Sequence, residues 1–192
     1  MDDVRRDFAA GLRELSTLAV TVAEQMGPQL EAALRLVKDT VSRGGTLFFC
    51  GNGGSAADAQ HLATEYVVRY MKNRRALPAI ALTTDTSLIT AVGNDLGFDE
   101  IFARQVEALV TARDALVIHS TSGTSPNVIK AAEAARRKGA QVIAFSSRDG
   151  GQLRSIADHS IVVPTERTDR AQEIHLCIEH AICEIIETEL TT

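Results

Sequence analysis

No apolar run in this sequence reaches the roughly 18 residues that a membrane-spanning helix needs. Its start, "MDDVRRDFAAGL", lacks the apolar core of a secretory signal, so a cytoplasmic protein is expected. Cysteine is scarce: Cys50, Cys177 and Cys183, an odd number without framework spacing. That excludes a disulfide scaffold and fits reduced thiols, with Cys50 a strand-end core residue and Cys177 and Cys183 small apolar fillers. Basic residues are neither abundant nor clustered; 20 Lys and Arg stand against 25 Asp and Glu, for a net charge of −5. This argues against a nucleic-acid partner. Tryptophan, low-complexity tracts and tandem repeats are absent, while the apolar and charged fractions of 45% and 23% are those of an ordinary globular protein. The 192 residues contain no linker, so 1–192 reads as one domain, long enough for a substantial hydrophobic core.

What is present is strongly patterned. Val4, Phe8, Leu12, Leu15, Ala19, Val22 and Met26 recur at spacings of three and four, one apolar stripe on a long helix. The near-heptad period suits packing against another long helix, including a neighbouring subunit's. Gly27-Pro28 ends it, and a second helix is expected from about Gln29 to Ser42, so residues 1–44 form a helical N-terminal part. Beyond it, "TLFFC", "AIALT", "ALVIH", "QVIAF" and "SIVV" are short β-rich runs, most of them separated by helical stretches. The helices include about Ser55 to Tyr70, "FDEIFARQVEAL", "SPNVIKAAEAARRKG", and a last one from about Thr168 to Glu189 with Ile174, Ile178, Ala181 and Ile185 on one face. Short apolar strands alternating with helices predict an α/β fold with a parallel sheet covered on both sides.

In such a sheet, ligands bind beyond the carboxyl ends of the strands, at helix N-termini. Two loops have the composition for that place. Gly51-Asn52-Gly53-Gly54-Ser55 follows "TLFFC", and its glycines let backbone N–H groups approach an anion. "STSGTS", Ser120 to Ser125, follows "ALVIH" and offers hydroxyls around one glycine. Either loop alone also reads as a capped turn; two together favour a phosphate. Gly51, Gly53 and Ala56 also fit a dinucleotide fingerprint, but the acidic residue it requires is only loosely matched by Asp85. His61 and Glu65 lie one helical turn apart on the helix after the first loop. Such a pair can hold a divalent metal, place a base beside a substrate, or be a surface contact. His180 lies between core-like positions of the last helix, the place of a satisfied core histidine as readily as of a functional one; His159 and His175 read as structural.

The pieces "CGNGGS", "DAQHLATEYVVRY", "AVGNDLGFDEIF", "STSGTSPNVIKA" and "DRAQEIHLCIEHAICEIIE" resemble, in order and spacing, the bacterial phosphoheptose isomerases of the phosphosugar-isomerase-type (SIS) family. The resemblance covers nearly the whole chain. It implies a single SIS-type domain, a five-stranded parallel sheet flanked by helices in three αβα layers, with long N- and C-terminal helices for oligomerisation. It implies conversion of D-sedoheptulose 7-phosphate to D-glycero-D-manno-heptose 7-phosphate, for ADP- or GDP-heptose precursors, in a homotetramer. By the same resemblance Glu65 is the general base and His180 the general acid. Ser55, Ser120, Thr121, Ser122 and Ser125 hold the phosphate, with backbone groups of Asn52, Gly53 and Gly54. Arg69, Asn94, Asp95 and Asp169 line the sugar together with Glu65 and Gln172. His61, Glu65, Gln172 and His180 match the ligands of a zinc ion, one per subunit. The chain departs from well-known isomerases at Ala56-Ala57, where they carry larger residues. Small residues there resemble a sister group of non-catalytic proteins that associate with a replication initiator, but Glu65 and His180 are both kept; a third possibility is an isomerase of another sugar phosphate.

Geometry adds one expectation. Gln172 and His180 are eight residues apart, about 12 Å along one helix and about 80° apart in direction, too divergent for one metal. Either the last helix starts irregularly or the site is shared between subunits.

Overall fold

The computed structural model describes residues 2–191, with side chains from Asp7 to Leu190; Val4 of the N-terminal stripe falls outside those side chains. Two helices, α1 (Asp2–Gln25) and α2 (Gly27–Ser42), precede β1 (Leu47–Gly51), α3 (Gly54–Val67), β2 (Ala79–Ala81) and α4 (Thr86–Asp95). A 3-10 turn (Phe98–Glu100) then leads to α5 (Ala103–Leu109), β3 (Ala115–His119), α6 (Pro126–Arg137), β4 (Gln141–Ser147), α7 (Leu153–Ile156), β5 (His159–Val163) and α8 (Thr168–Thr191). The five strands are parallel, in the order β2-β1-β3-β4-β5. This is the expected three-layer arrangement.

The strands are continuous apolar runs because both faces are covered. Phe49, Phe145 and Val117 point to a core shared with α2, α3 and α8, through Leu36, Leu62 and Ile178. Phe48, Leu116 and Ile118 point the other way, to Val106 of α5 and to Val128 and Ala131 of α6. Each fully buried Leu, Ile or Phe contributes about 1.5–3 kcal/mol. From β1 the chain moves outward to β2, then returns past β1 to β3 and on to β5. The order therefore reverses between β1 and β3, where the crevice for a ligand opens. Gly51 and His119, the last residues of these strands, are register partners, so the two loops expected to bind phosphate leave the sheet side by side.

Several boundaries differ from expectation. Gly27-Pro28 does not end a helix so much as start one: only Met26 interrupts the path, and proline is accepted in the first turn of α2. "FDEIFARQVEAL" is not one helix, because Phe98 to Glu100 form a 3-10 turn entered through Gly97 at φ 101°. A helix that sequence periodicity does not reveal, α4, is capped by Asp85, whose side chain accepts the Leu88 N–H at 2.9 Å. Asp85 thus serves as a helix cap through Oδ1. Of α8's expected face, Ile174 and Ile178 are buried, whereas Ala181 and Ile185 are exposed. Cys177 is exposed too, not a core filler, while Cys50 and Cys183 are buried. Finally, α8 is helical at every residue from Thr168 to Thr191, so no irregular start turns Gln172 towards His180. Among the described residues, no helix is long and apolar enough to cross a membrane.

Candidate active site

The first loop turns tightly at Gly53, the N-cap of α3, with φ 57° and ψ −121°, a conformation that favours glycine. Its carbonyl accepts the N–H groups of Ala56 and Ala57. Gly54 is small for another reason: a Cβ there would lie 2.6 Å from Nε2 of Gln172. Gln172 of α8 thus packs against the glycine loop. Ser55 is buried in the first turn of α3, with Gly53 rather than Ser55 as the cap. Asn52 exchanges two side-chain hydrogen bonds with Asn127, at 2.9 and 2.8 Å, and Asn127 Oδ1 also accepts the Val128 N–H. Asn127 therefore ties the first loop to the start of the helix after the second.

The second loop is pinned by β4. Ser120 donates its N–H to Phe145, and the Thr121 carbonyl accepts from both the N–H and the hydroxyl of Ser147. The Ser120 hydroxyl accepts the Gly123 N–H at 3.2 Å, and the Ser122 hydroxyl accepts the Thr124 N–H at 3.3 Å. Ser125 occupies the N-cap position of α6, yet its side chain makes no capping hydrogen bond. Its hydroxyl is not consumed by the helix.

His61 and Glu65 lie one turn apart on α3 and meet His180 of α8. His61 Nε2 is 2.8 Å from His180 Nε2 and 3.5 Å from Glu65 Oε1. One donor atom from each of the three residues lies within 4.8 Å of the others. Two imidazole nitrogens and a carboxylate oxygen drawn this close match the donor set of zinc, which takes such ligands at about 2.0–2.2 Å. The ring of Tyr70 stacks on His180 at 5.2 Å between centroids. Partial burial, and then the neighbouring His61, hold His180 below the usual histidine range, with Glu65 opposing. An imidazole so placed is neutral at neutral pH and can take or give a proton.

Behind this trio lies a buried ionic layer. His119, the last residue of β3, is stacked between Phe49 and Phe145, and its Nε2 is 2.6 Å from Glu179 Oε2. Burial alone would lower His119, but the charge and hydrogen bond of Glu179, together with Asp58, leave it raised; burial also raises Glu179. Next to Phe145, His175 directs Nε2 at the Ser146 carbonyl, a structural role as expected.

Of the residues singled out from sequence, His61, Glu65 and His180 come together, and Gln172 joins the glycine loop. Asp169 is exposed at the start of α8, where Arg167 grips both carboxylate oxygens and holds its pKa down at about 2. Arg69 is exposed after α3, and Asn94 and Asp95 are exposed at the end of α4, bonded to each other at 2.7 Å. Among the described residues, no hydrogen bond or ion pair joins Arg69, Asn94 or Asp95 to the trio. Sequence reasoning missed Tyr70, Asn127, His119 and Glu179. Only Asn127 left a signal, a polar residue beside Pro126 in a helical first turn.

Comparison with known proteins gives a consistent picture. A SIS domain is matched over residues 12–147. A phosphoheptose isomerase of Aliarcobacter butzleri is 51% identical over 170 residues, 88% of this chain and 90% of that protein. Among solved structures, a phosphoheptose isomerase from Neisseria gonorrhoeae superposes with a TM-score of 0.90 at 41% identity, covering 96% of this chain and 99% of that one. One from Francisella tularensis gives 0.92 at 34% identity, covering 96% and 98%.

Proposed function

Because the chain belongs to the SIS-domain family and matches phosphoheptose isomerases along most of its length, we propose that it interconverts sedoheptulose 7-phosphate and D-glycero-D-manno-heptose 7-phosphate. It is an aldose–ketose isomerase. The observation that carries the site assignment is the convergence of His61 and Glu65 of α3, which starts at the first loop, with His180 of α8, whose Gln172 packs against that loop.

The phosphate sits at the switch point, held by backbone N–H groups of Asn52, Gly53 and Gly54 and by Ser55, Ser120, Thr121, Ser122 and Ser125. The N-termini of α3 and α6 favour its charge. Binding at this remote end orients the sugar so that one carboxylate reaches the correct carbon. Arg69, Asn94, Asp95, Asp169 and Gln172 line the sugar. Glu65 takes a proton from C1 of the ketose and returns it at C2. His180 gives a proton to O2 and recovers one from O1, so an enediol forms and collapses with protons balanced. Positioned acid–base groups of this kind contribute about 10²–10⁴-fold.

His61, Glu65 and His180 fit one zinc ion per subunit; Gln172, resting on the glycine loop, fits the substrate role better than that of a fourth ligand within one chain. Zinc bound there supplies Lewis-acid polarisation of the sugar oxygen. A homotetramer is part of the same reading. On the α1 stripe Phe8 is 72% and Leu12 68% exposed, and an apolar groove runs between α1, α2 and α8 past Val22, Leu34 and Ile178.

The test is incubation of the purified protein with sedoheptulose 7-phosphate, with Glu65→Gln and His180→Gln alongside. The wild type forms the aldose phosphate and both variants lose at least 100-fold in turnover. A wild type as inert as the variants, with and without zinc, would favour a non-catalytic binding protein.

A further inference from the structure

Arg74 and Glu187 form an ion pair that no step above uses. Their side chains are 3% and 2% exposed, with Arg74 Nε 3.3 Å from Glu187 Oε1. Two charges so deeply buried are tolerated only when further hydrogen bonds satisfy them, so the partners they hold are informative. Arg74 lies in the segment between α3 and β2, and its guanidinium reaches back to the end of α3. Nη2 donates to the Glu65 carbonyl at 2.6 Å and Nη1 to the Tyr66 carbonyl at 2.8 Å. These are last-turn carbonyls, which have no partner within a helix. Glu187, on α8, accepts the backbone N–H of Tyr70 at 2.9 Å and those of Met71 and Lys72 at 2.6 Å each.

Both ends of this cluster touch the proposed chemistry. Glu65 is the base, and Tyr70 stacks on His180, the acid. Glu187 follows His180 by seven residues, two turns along the same face of α8. We propose that Arg74 and Glu187 are positioning residues for the isomerisation: the pair ties the backbone of Glu65 and of Tyr70 to the helix that carries His180, and so fixes base against acid. The phosphate loops lie at the opposite end of α3 and are not held by it. The pair therefore governs turnover more than affinity.

This inference rests on the assignment of Glu65 and His180 as base and acid. The experiment compares the full chain with Arg74→Met, Arg74→Lys and Glu187→Gln, at a temperature where circular dichroism shows each variant fully folded. Arg74→Met and Glu187→Gln are expected to lose at least tenfold in kcat with KM changed less than threefold. Arg74→Lys, which keeps the charge but not the fork that spans two carbonyls, falls between them and the wild type. Should Arg74→Met fail to fold, Arg74→Lys and Glu187→Gln carry the comparison. A purely structural pair would lower the melting temperature and leave kcat of the folded variants within twofold of wild type; that result overturns the proposal. Glu65→Gln, run in parallel, separates the two levels. If it is inert while the folded pair variants are fully active, the positioning role alone fails; if it turns over normally, the acid–base assignment fails and the positioning role with it.

Discussion

Gly54 and Gly123 show how much single residues decide at this site. Gly54 leaves room for the Gln172 amide, and a Cβ would meet the end of that flexible side chain at 2.6 Å. Gly54→Ala is therefore expected to fold normally but to push Gln172 off the loop. Steady-state kinetics should show KM for the sugar phosphate raised by roughly tenfold, the equivalent of about 1.4 kcal/mol of binding. Gly123 differs in kind. It has φ 64°, and a Cβ would lie 1.9 Å from the backbone carbonyl oxygen of Gly150, which cannot swing aside. Gly123→Ala should lower stability by at least about 1–3 kcal/mol, read as a reduced melting temperature and denaturant midpoint. The hydroxyl-rich loop itself was legible in "STSGTS", because a turn after an apolar strand needs one capping hydroxyl and this one carries several around its glycine. The packing of that loop on Gly150 was not, since nothing in either segment names the other.

At the scale of elements, α8 carries the most function. Its polar positions Gln172 and His180 stand out against isoleucines, but Glu179 and Glu187 look in sequence like ordinary solvent-facing charges. Their burial depends on partners at His119 and Arg74, which only the folded chain brings near. The β-rich runs were readable because a parallel strand buried on both faces has no polar alternation. The helix α4 was not, because its threonines, its Gly93 and its exposed surface erase the helical stripe. Burial on α8 also has a pH consequence. His175 is pushed down to about 3, mainly by burial. The unfolded chain protonates this residue below about 6.5, whereas the folded protein resists until about 3. The unfolded state then binds more protons, so stability should fall as pH drops from about 6.5 towards 3. Denaturant melts across that range should show the fall, and His175→Leu should flatten it.

On the scale of the whole molecule, both the site and the first helix leave surface uncovered. His61 is exposed and His180 half-buried, and Phe8 and Leu12 of the α1 stripe are exposed as well. Near-heptad spacing made that stripe legible, but only the structure shows that Val22 and Met26 are buried within the chain while Phe8 and Leu12 stay exposed. Phe8→Ser with Leu12→Ser is expected to shift the protein to smaller assemblies, measured by light scattering after size exclusion, without unfolding the monomer. Chelation followed by metal titration should remove and then restore activity, with zinc binding lost in His61→Gln by calorimetry.

The acid–base assignment is the centre of this account, and proton exchange tests it most directly. Sedoheptulose 7-phosphate is incubated in D2O with wild type or Glu65→Gln, and deuterium at C1 of recovered ketose and C2 of product is read by NMR. Exchange through an enediol predicts label at both carbons with wild type, and with Glu65→Gln neither label nor product above a hundredth of the wild-type rate. Label and product formed by Glu65→Gln at the wild-type rate would contradict the account, because another group would then be moving the carbon-bound proton.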